Sequence, residues 1–155
     1  MTQFRLLLFL EGSGPDGDGR FIEEVLAFDD QQIEHVHTFI QWLFPLDEPS
    51  RAQPQSPVLA EREADLIRQS NLAQQNLLIA TERMLAFYRL NKHWLGRFDH
   101  NHLRISRIIA SLRLLRGEFA AAMFFREIEA LVKKGGDLVN AESHSYWRRA
   151  LVGAK

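Results

Sequence analysis

Apolar residues recur at intervals of three and four along most of the chain, the spacing of helices that bury one face. The run L-L-L-F-L at residues 6–10 predicts a short helix packed on the rest, and R-F-I-E-E-V-L predicts a second after a glycine-rich connector. From Asp29 or Asp30, a plausible N-cap, the segment Q-Q-I-E-H-V-H-T-F-I-Q-W-L-F predicts one helix that Pro45 stops. Ile33, Val36, Ile40, Leu43 and Phe44 form its stripe, with His37 and Phe39 at the two borders and Trp42 roughly opposite. A helix apolar on two sides has two packed neighbours or presents Trp42 to a ligand, and burial is the first expectation.

L-D-E-P-S-R-A-Q-P-Q-S-P holds three of the five prolines and predicts an extended connector. Beyond it the pattern predicts a helix over Glu61–Gln69 and a longer one from Asn71 to about Arg89. The face of the longer helix is Ala73, Leu77, Ala80, Met84, Phe87 and Tyr88. A turn through Asn91–Asp99 leads to a helix from about Asn101 to Arg116, with Ile105, Ile108, Ile109, Leu112 and Leu115 as its core stripe. After Gly117, the next helix places Phe124, Ile128 and Leu131 on one side and Phe119 and Met123 on the other, which predicts a central position. Lys133 and Lys134 suit its last turn, and Gly135 is the expected C′ residue. Residues 141–151 predict a last short helix carrying Tyr146 and Trp147. The expectation is an all-α bundle of about six to seven helices with no sheet, in a single domain over residues 1–155.

Composition leaves this picture in place. With 155 residues, 46% hydrophobic and 25% charged, the chain has the make-up of a soluble globular domain. The absence of cysteine removes disulfides, thiolate zinc sites and cysteine nucleophiles. No apolar run approaches the length of a membrane span, and the N-terminus lacks the h-region and cleavage site of a signal peptide, so a cytoplasmic location is expected. Charge is uneven: residues 1–88 carry six Lys+Arg against fourteen Asp+Glu, and residues 89–155 carry thirteen against six. Two halves attracting each other would explain this, as would a basic surface for an anionic partner.

Several stretches offer chemistry. E-G-S-G-P-D-G-D-G-R contains G-x-G-x-x-G at Gly12, Gly14 and Gly17, but a dinucleotide site needs a second strand that the helical pattern does not provide. Asp16 and Asp18 would also repel a pyrophosphate. Counted as a calcium loop from Asp16, positions 5, 6 and 12 hold Arg20, Phe21 and Ala27, which fails as well. The loop therefore reads as a flexible connector. His35 with His37, and His100 with His102, stand two apart; on a regular helix they diverge by about 200° and cannot chelate one metal. Arg104, Arg107 and Ser111 share a helix face near His100 and could grip a carboxylate or phosphate, or form a solvated face paired with acidic residues. No G-x-S-x-G or H-E-x-x-H is present.

H-T-F-I-Q-W-L-F-P-L-D-E-P (His37 to Pro49) and H-N-H-L-R-I-S-R-I-I-A-S-L (His100 to Leu112) resemble two blocks of the opioid growth factor receptor conserved region. R-M-L-A-F-Y (Arg83 to Tyr88) and P-D-x-x-G-R-F-I-E-E-V-L match further blocks of that family in order. The likeness runs from about Phe4 to Ala130 and is weakest at the C-terminus. It implies a helical domain and, for the family, receptor activity toward the pentapeptide met-enkephalin, with nuclear or peripheral membrane association. The expected function is non-enzymatic binding of a peptide, a small anionic ligand or a protein partner. His37, Gln41, Trp42, His100, Asn101, Arg104 and Arg107 are the candidate binding residues, and no catalytic residue, metal or cofactor is assigned. A nucleic-acid-associated module using the basic C-terminal half, and a small enzyme of unknown chemistry, are the alternatives. Oligomeric state is left open.

Overall fold

The computed structural model describes residues 4–154, and every regular element among them is helical. In chain order these are α1 (Arg5–Glu11), α2 (Ile22–Leu26), α3 (Asp30–His35), α4 (Ile40–Leu43), α5 (Glu61–Gln69), α6 (Asn71–Leu90), α7 (Asn101–Leu115), α8 (Glu118–Lys134) and α9 (Ala141–Val152). A 3-10 turn at His93–Leu95 lies between α6 and α7. Nine α-helices among the described residues exceed the expected six to seven. The chain divides into two compact units, with the division falling inside α6 between Ala80 and Thr81.

In the first unit α1 packs against α2, α4 and α5, burying Leu6, Phe9 and Leu10. Seven residues make a marginal helix in isolation, and polar side chains from later in the chain hold both of its ends. Glu63 Oε2 accepts from the Leu7 amide at 3.0 Å, which puts a buried carboxylate on the first turn. At the other end Asn76 Nδ2 donates to the Leu10 carbonyl at 2.7 Å. Gly12 closes the helix in the left-handed region, at φ 84°. The apolar run is thus a helix, as its pattern predicts.

The expected helix over residues 31–44 is two helices. Asp29 caps α3 reciprocally with Gln32: the Gln32 amide donates to Asp29 Oδ1 at 2.8 Å, and the Asp29 amide donates to Gln32 Oε1 at 2.9 Å. The helix ends at Val36, which is extended (φ −85°, ψ 124°). Two β-branched residues, Val36 and Thr38, weaken the helix here, and Thr38 spends its hydroxyl elsewhere. It donates to Asp18 Oδ2 at 2.6 Å and accepts from the Arg20 guanidinium at 3.0 Å. All four residues of α4 are buried, so the two-sided apolar pattern reflects packing on both sides. The proline-rich connector contains no helix, as expected, and a Leu59 amide to Leu46 carbonyl bond of 2.8 Å ties its two ends.

The glycine-rich loop is more ordered than a flexible connector. The Asp16 side chain is buried; Oδ1 accepts from the amides of Asp18 and Arg20, and Oδ2 accepts from Arg20 Nε at 2.8 Å. A Cβ on Gly14 would stand 2.9 Å from Leu8 Cβ, so this glycine permits loop and helix to touch. The fingerprint spacing is a packing solution.

In the second unit α7 packs on α8 and α9, and its predicted stripe of Ile105, Ile108, Ile109, Leu112 and Leu115 is wholly buried. Trp94 and Trp147 are fully buried with their indole N–H groups satisfied: Trp94 donates to the Tyr88 carbonyl and Trp147 to the His102 carbonyl, both at 2.9 Å. Phe124 and Ile128 of α8 are buried, but Phe119 and Met123 are exposed. The expected central position of α8 is therefore corrected to an amphipathic one. Its left-handed terminating glycine is Gly136 (φ 94°), one residue beyond the expected Gly135.

Candidate functional site

The seven residues singled out from the sequence fall into both units. In the first, His37 is exposed on the segment between α3 and α4, whereas Gln41 and Trp42 are buried in α4. Trp42 lies edge-on to Phe9 at 5.6 Å, and the Arg5 guanidinium lies over its ring at 5.1 Å. It is a packed core side chain, the first of the two roles its position allowed. Gln41 Oε1 has no hydrogen-bond partner among the described residues.

In the second unit Asn101 is fully buried and structural: its Nδ2 donates to Asp99 Oδ1 at 2.9 Å, and its Oδ1 accepts from the Tyr88 hydroxyl at 3.3 Å. Arg104 and Ser111 are buried and Arg107 is half-buried, so the face they share is not the solvated arginine face that was one reading of it. Both arginines have partners within the protein. His100 differs from the other three, because it lines a cavity.

That cavity, about 460 Å³, lies between the N-terminal ends of α7 and α9. Phe98, Asp99, His100, His102 and Leu103 supply one side of it. The other side is formed by Asn140, Glu142, Ser143 and Tyr146. Both helix ends are firmly built. Asp99 caps α7, its Oδ1 accepting from the Asn101 amide at 2.9 Å, and Asn140 caps α9, its Oδ1 accepting from the Ser143 amide at 2.8 Å. Asn140 also donates through Nδ2 to the Arg97 carbonyl at 2.6 Å, which ties the α9 cap to the segment entering α7. Over this polar floor stand three large apolar side chains in water: Phe98 is 75% exposed, Leu103 69% and Tyr146 42%. Folding alone does not account for their position.

His102 lies beneath them, 4% exposed, its ring edge-on to Trp147 at 5.8 Å. Its Nε2 is 2.7 Å from the Trp94 carbonyl oxygen and its Nδ1 is 3.2 Å from Ser143 Oγ. His144, its ring 5.1 Å from that of Trp147, has its pKa lowered by burial first and by the Arg148 charge second. No group of three or more His, Cys, Asp or Glu residues that could hold a metal ion occurs among the described residues. No helix among them is long and apolar enough to cross a membrane.

Sequence reasoning placed one cavity residue, His100, among its candidates. The i, i+2 divergence of the H-N-H pair separates the two histidines as expected, one outward and one inward. Phe98 and Ser143 carried no motif, and Leu103 lay within the H-N-H-L-R-I-S-R block without being singled out. The signal available for them was the pair of capping residues, Asp99 and Asn140, each opening a helix.

A family model described as the opioid growth factor receptor (OGFr) conserved region matches residues 6–154. The chain belongs to the opioid growth factor receptor conserved-region family. The match extends past Ala130 and includes α9, so the cavity lies wholly within the family region. The human opioid growth factor receptor is 38% identical over 141 residues, covering 76% of this chain and 20% of the human protein. The mouse opioid growth factor receptor-like protein 1 is 35% identical over 115 residues, covering 61% of this chain and 25% of the mouse protein. The chain thus spans a quarter or less of the length of these relatives. The human protein is named a receptor and the mouse protein a receptor-like protein. No solved structure matches the chain.

Proposed function

We propose that this conserved region is a peptide-binding helical module and that the α7–α9 cavity is its binding site. The observation that carries the reading is the gathering of Phe98, Leu103 and Tyr146, all exposed, over two capped helix N-termini. A cavity of about 460 Å³ has room for one aromatic or branched side chain and the backbone around it. Phe98, Leu103 and Tyr146 supply apolar contact, and covering them on binding releases water from surface that the free protein leaves wet. His100, Asn140 and Glu142 offer donors and acceptors to the polar backbone that accompanies such a side chain. The receptor name of the relatives supports a peptide as the ligand class.

Of the residues expected from the sequence, His100 is the one that this reading uses directly. Arg104 is buried and neither it nor Arg107 lines the cavity, so this reading gives them no ligand contact. The test is fluorescence anisotropy of a labelled met-enkephalin pentapeptide and of a small set of aromatic pentapeptides titrated with the protein. Saturable binding weakened at least tenfold by Leu103→Ser or Phe98→Ser supports the cavity. Binding unaffected by either substitution removes the cavity as the site, and no binding of any aromatic peptide removes the peptide reading.

A further inference from the structure

We propose that Ser143 is a nucleophilic serine, activated by His102, able to take the acyl group of a small apolar ester bound in the α7–α9 cavity. A main-chain carbonyl can only accept, so the 2.7 Å contact between His102 Nε2 and the Trp94 oxygen makes Nε2 the protonated nitrogen. In the neutral form of the ring Nδ1 is then a lone-pair acceptor, and the group 3.2 Å from it is the Ser143 hydroxyl, which donates to it in that form. Serine, neutral imidazole and orienting carbonyl form an ordered chain, the relation that nucleophilic catalysis requires of nucleophile, base and orienter. The 3.2 Å separation is at the long end for such a pair in an unliganded site, where these contacts tighten on binding.

Position supports the assignment. His102 is buried and cannot swing away: its ring is packed against Trp147, whose indole N–H is bonded to the His102 carbonyl. Ser143 is half-exposed and lines the cavity, so its oxygen is reachable while its base is shielded. Its own amide is fixed by Asn140, which sets the first turn of α9. Ala141 and Glu142 open that same turn, and first-turn amides have no intrahelical acceptor. The apolar acyl group has Phe98, Leu103 and Tyr146 to lie against.

In the acylation step Ser143 Oγ bonds to the ester carbonyl carbon while its proton passes to His102 Nδ1. The Trp94 carbonyl holds the opposite N–H of the resulting imidazolium. The ester C–O bond then breaks, and the departing alkoxide takes the proton from Nδ1 and leaves as the alcohol. Water repeats the sequence on the acyl-serine, releasing the carboxylic acid and restoring the serine. Nothing beyond ester and water is consumed.

An alkyl fluorophosphonate tests the nucleophile directly, because attack forms an Oγ–P bond and expels fluoride. The expected result is a single adduct by intact mass, mapped to the Ser143 peptide, absent in Ser143→Ala and formed at least tenfold more slowly in His102→Gln. Hydrolysis of p-nitrophenyl butyrate by the unmodified protein, lost in Ser143→Ala, is the second expected result and does not depend on the buried substitution folding. No adduct on the unmodified protein, or an adduct on another residue, overturns the proposal. So does an equal labelling rate in a folded His102→Gln variant. The proposal rests on the same cavity as the peptide reading but not on its ligand: labelling of Ser143 is measured with no peptide present, so a failure to label and a failure to bind peptide are separate results.

Discussion

Two regions rich in polar side chains behave in opposite ways. The Asp16–Arg20 loop of the first unit carries a phosphate-binding spacing, and its polar groups are answered from within. Asp16 is satisfied by two amides and a guanidinium, and Arg20 also reaches Asp18 and Thr38. The α7–α9 cavity of the second unit carries no such spacing, yet it holds three large apolar side chains in water and a half-exposed serine on a buried histidine. A motif whose polar atoms are all spent on one another is a structural joint. Surface left unsatisfied by folding is where a ligand gains free energy.

Asp16→Ala is the substitution with the largest expected effect. If the loop is a joint, the substitution strands two amides and the Arg20 guanidinium, and it should cost about 2–4 kcal/mol, measured by urea denaturation. A loss below about 0.5 kcal/mol would return the loop to the status of a flexible connector. The glycines sharpen the point at smaller scale. Gly14→Ala places Cβ against Leu8 and should cost about 1–3 kcal/mol. Gly17→Ala meets the Trp42 ring only at an ordinary 3.5 Å and should stay within about 0.5 kcal/mol. A nucleotide loop would show no such ranking by packing, because each glycine would answer to the phosphate.

The same contrast explains what was legible in the sequence. Helices with one apolar face were readable almost to the residue: α5 begins and ends at Glu61 and Gln69, and every residue of the α7 stripe is buried. Periodicity records burial, and burial fixes these elements. The break at Val36–Phe39 was not readable, because it depends on Thr38 finding Asp18 and Arg20 twenty and eighteen residues away. Periodicity also misplaced α8, since Phe119 and Met123 look like a second core face although both are exposed. The cavity was hidden for a related reason: Phe98, Leu103 and Tyr146 are unremarkable until tertiary packing leaves them uncovered together. The pairing of Ser143 with His102 spans 41 residues, and no local spacing encodes it.

Acidity probes the second unit with a smaller effect. Burial, then the Arg148 charge and the nearby His102, disfavour the His144 imidazolium, and this outweighs the opposing pull of Glu129 and Asp137. The folded pKa is therefore below the ordinary histidine value. Above that ordinary value both folded and unfolded chains carry a neutral ring and the contribution is complete. As pH falls, the unfolded chain takes up the proton first, and stability is lost down to the lowered folded pKa. Thermal melts from neutral to mildly acid pH should show a steeper decline for the unmodified protein than for His144→Asn. Parallel declines would mean that the ring titrates alike in both states.

The smallest expected effect on stability is also the most telling about function. Phe98 and Leu103 are largely in water in the folded chain, so replacing either with serine removes little buried apolar surface. Phe98 has the Arg97 guanidinium 5.5 Å from its ring centre to lose, and exposed contacts of this kind contribute about 0.5–1 kcal/mol. Leu103→Ser is the cleaner variant and should leave the denaturation midpoint almost unchanged, within about 0.5 kcal/mol. Its peptide affinity should nonetheless fall at least tenfold in the anisotropy titration, because the area it would bury is buried only in the complex. Loss of affinity without loss of stability is the signature of a side chain kept at the surface for a partner. If Leu103→Ser instead unfolds the second unit, the residue belongs to the core, and the contrast with the Asp16–Arg20 joint disappears.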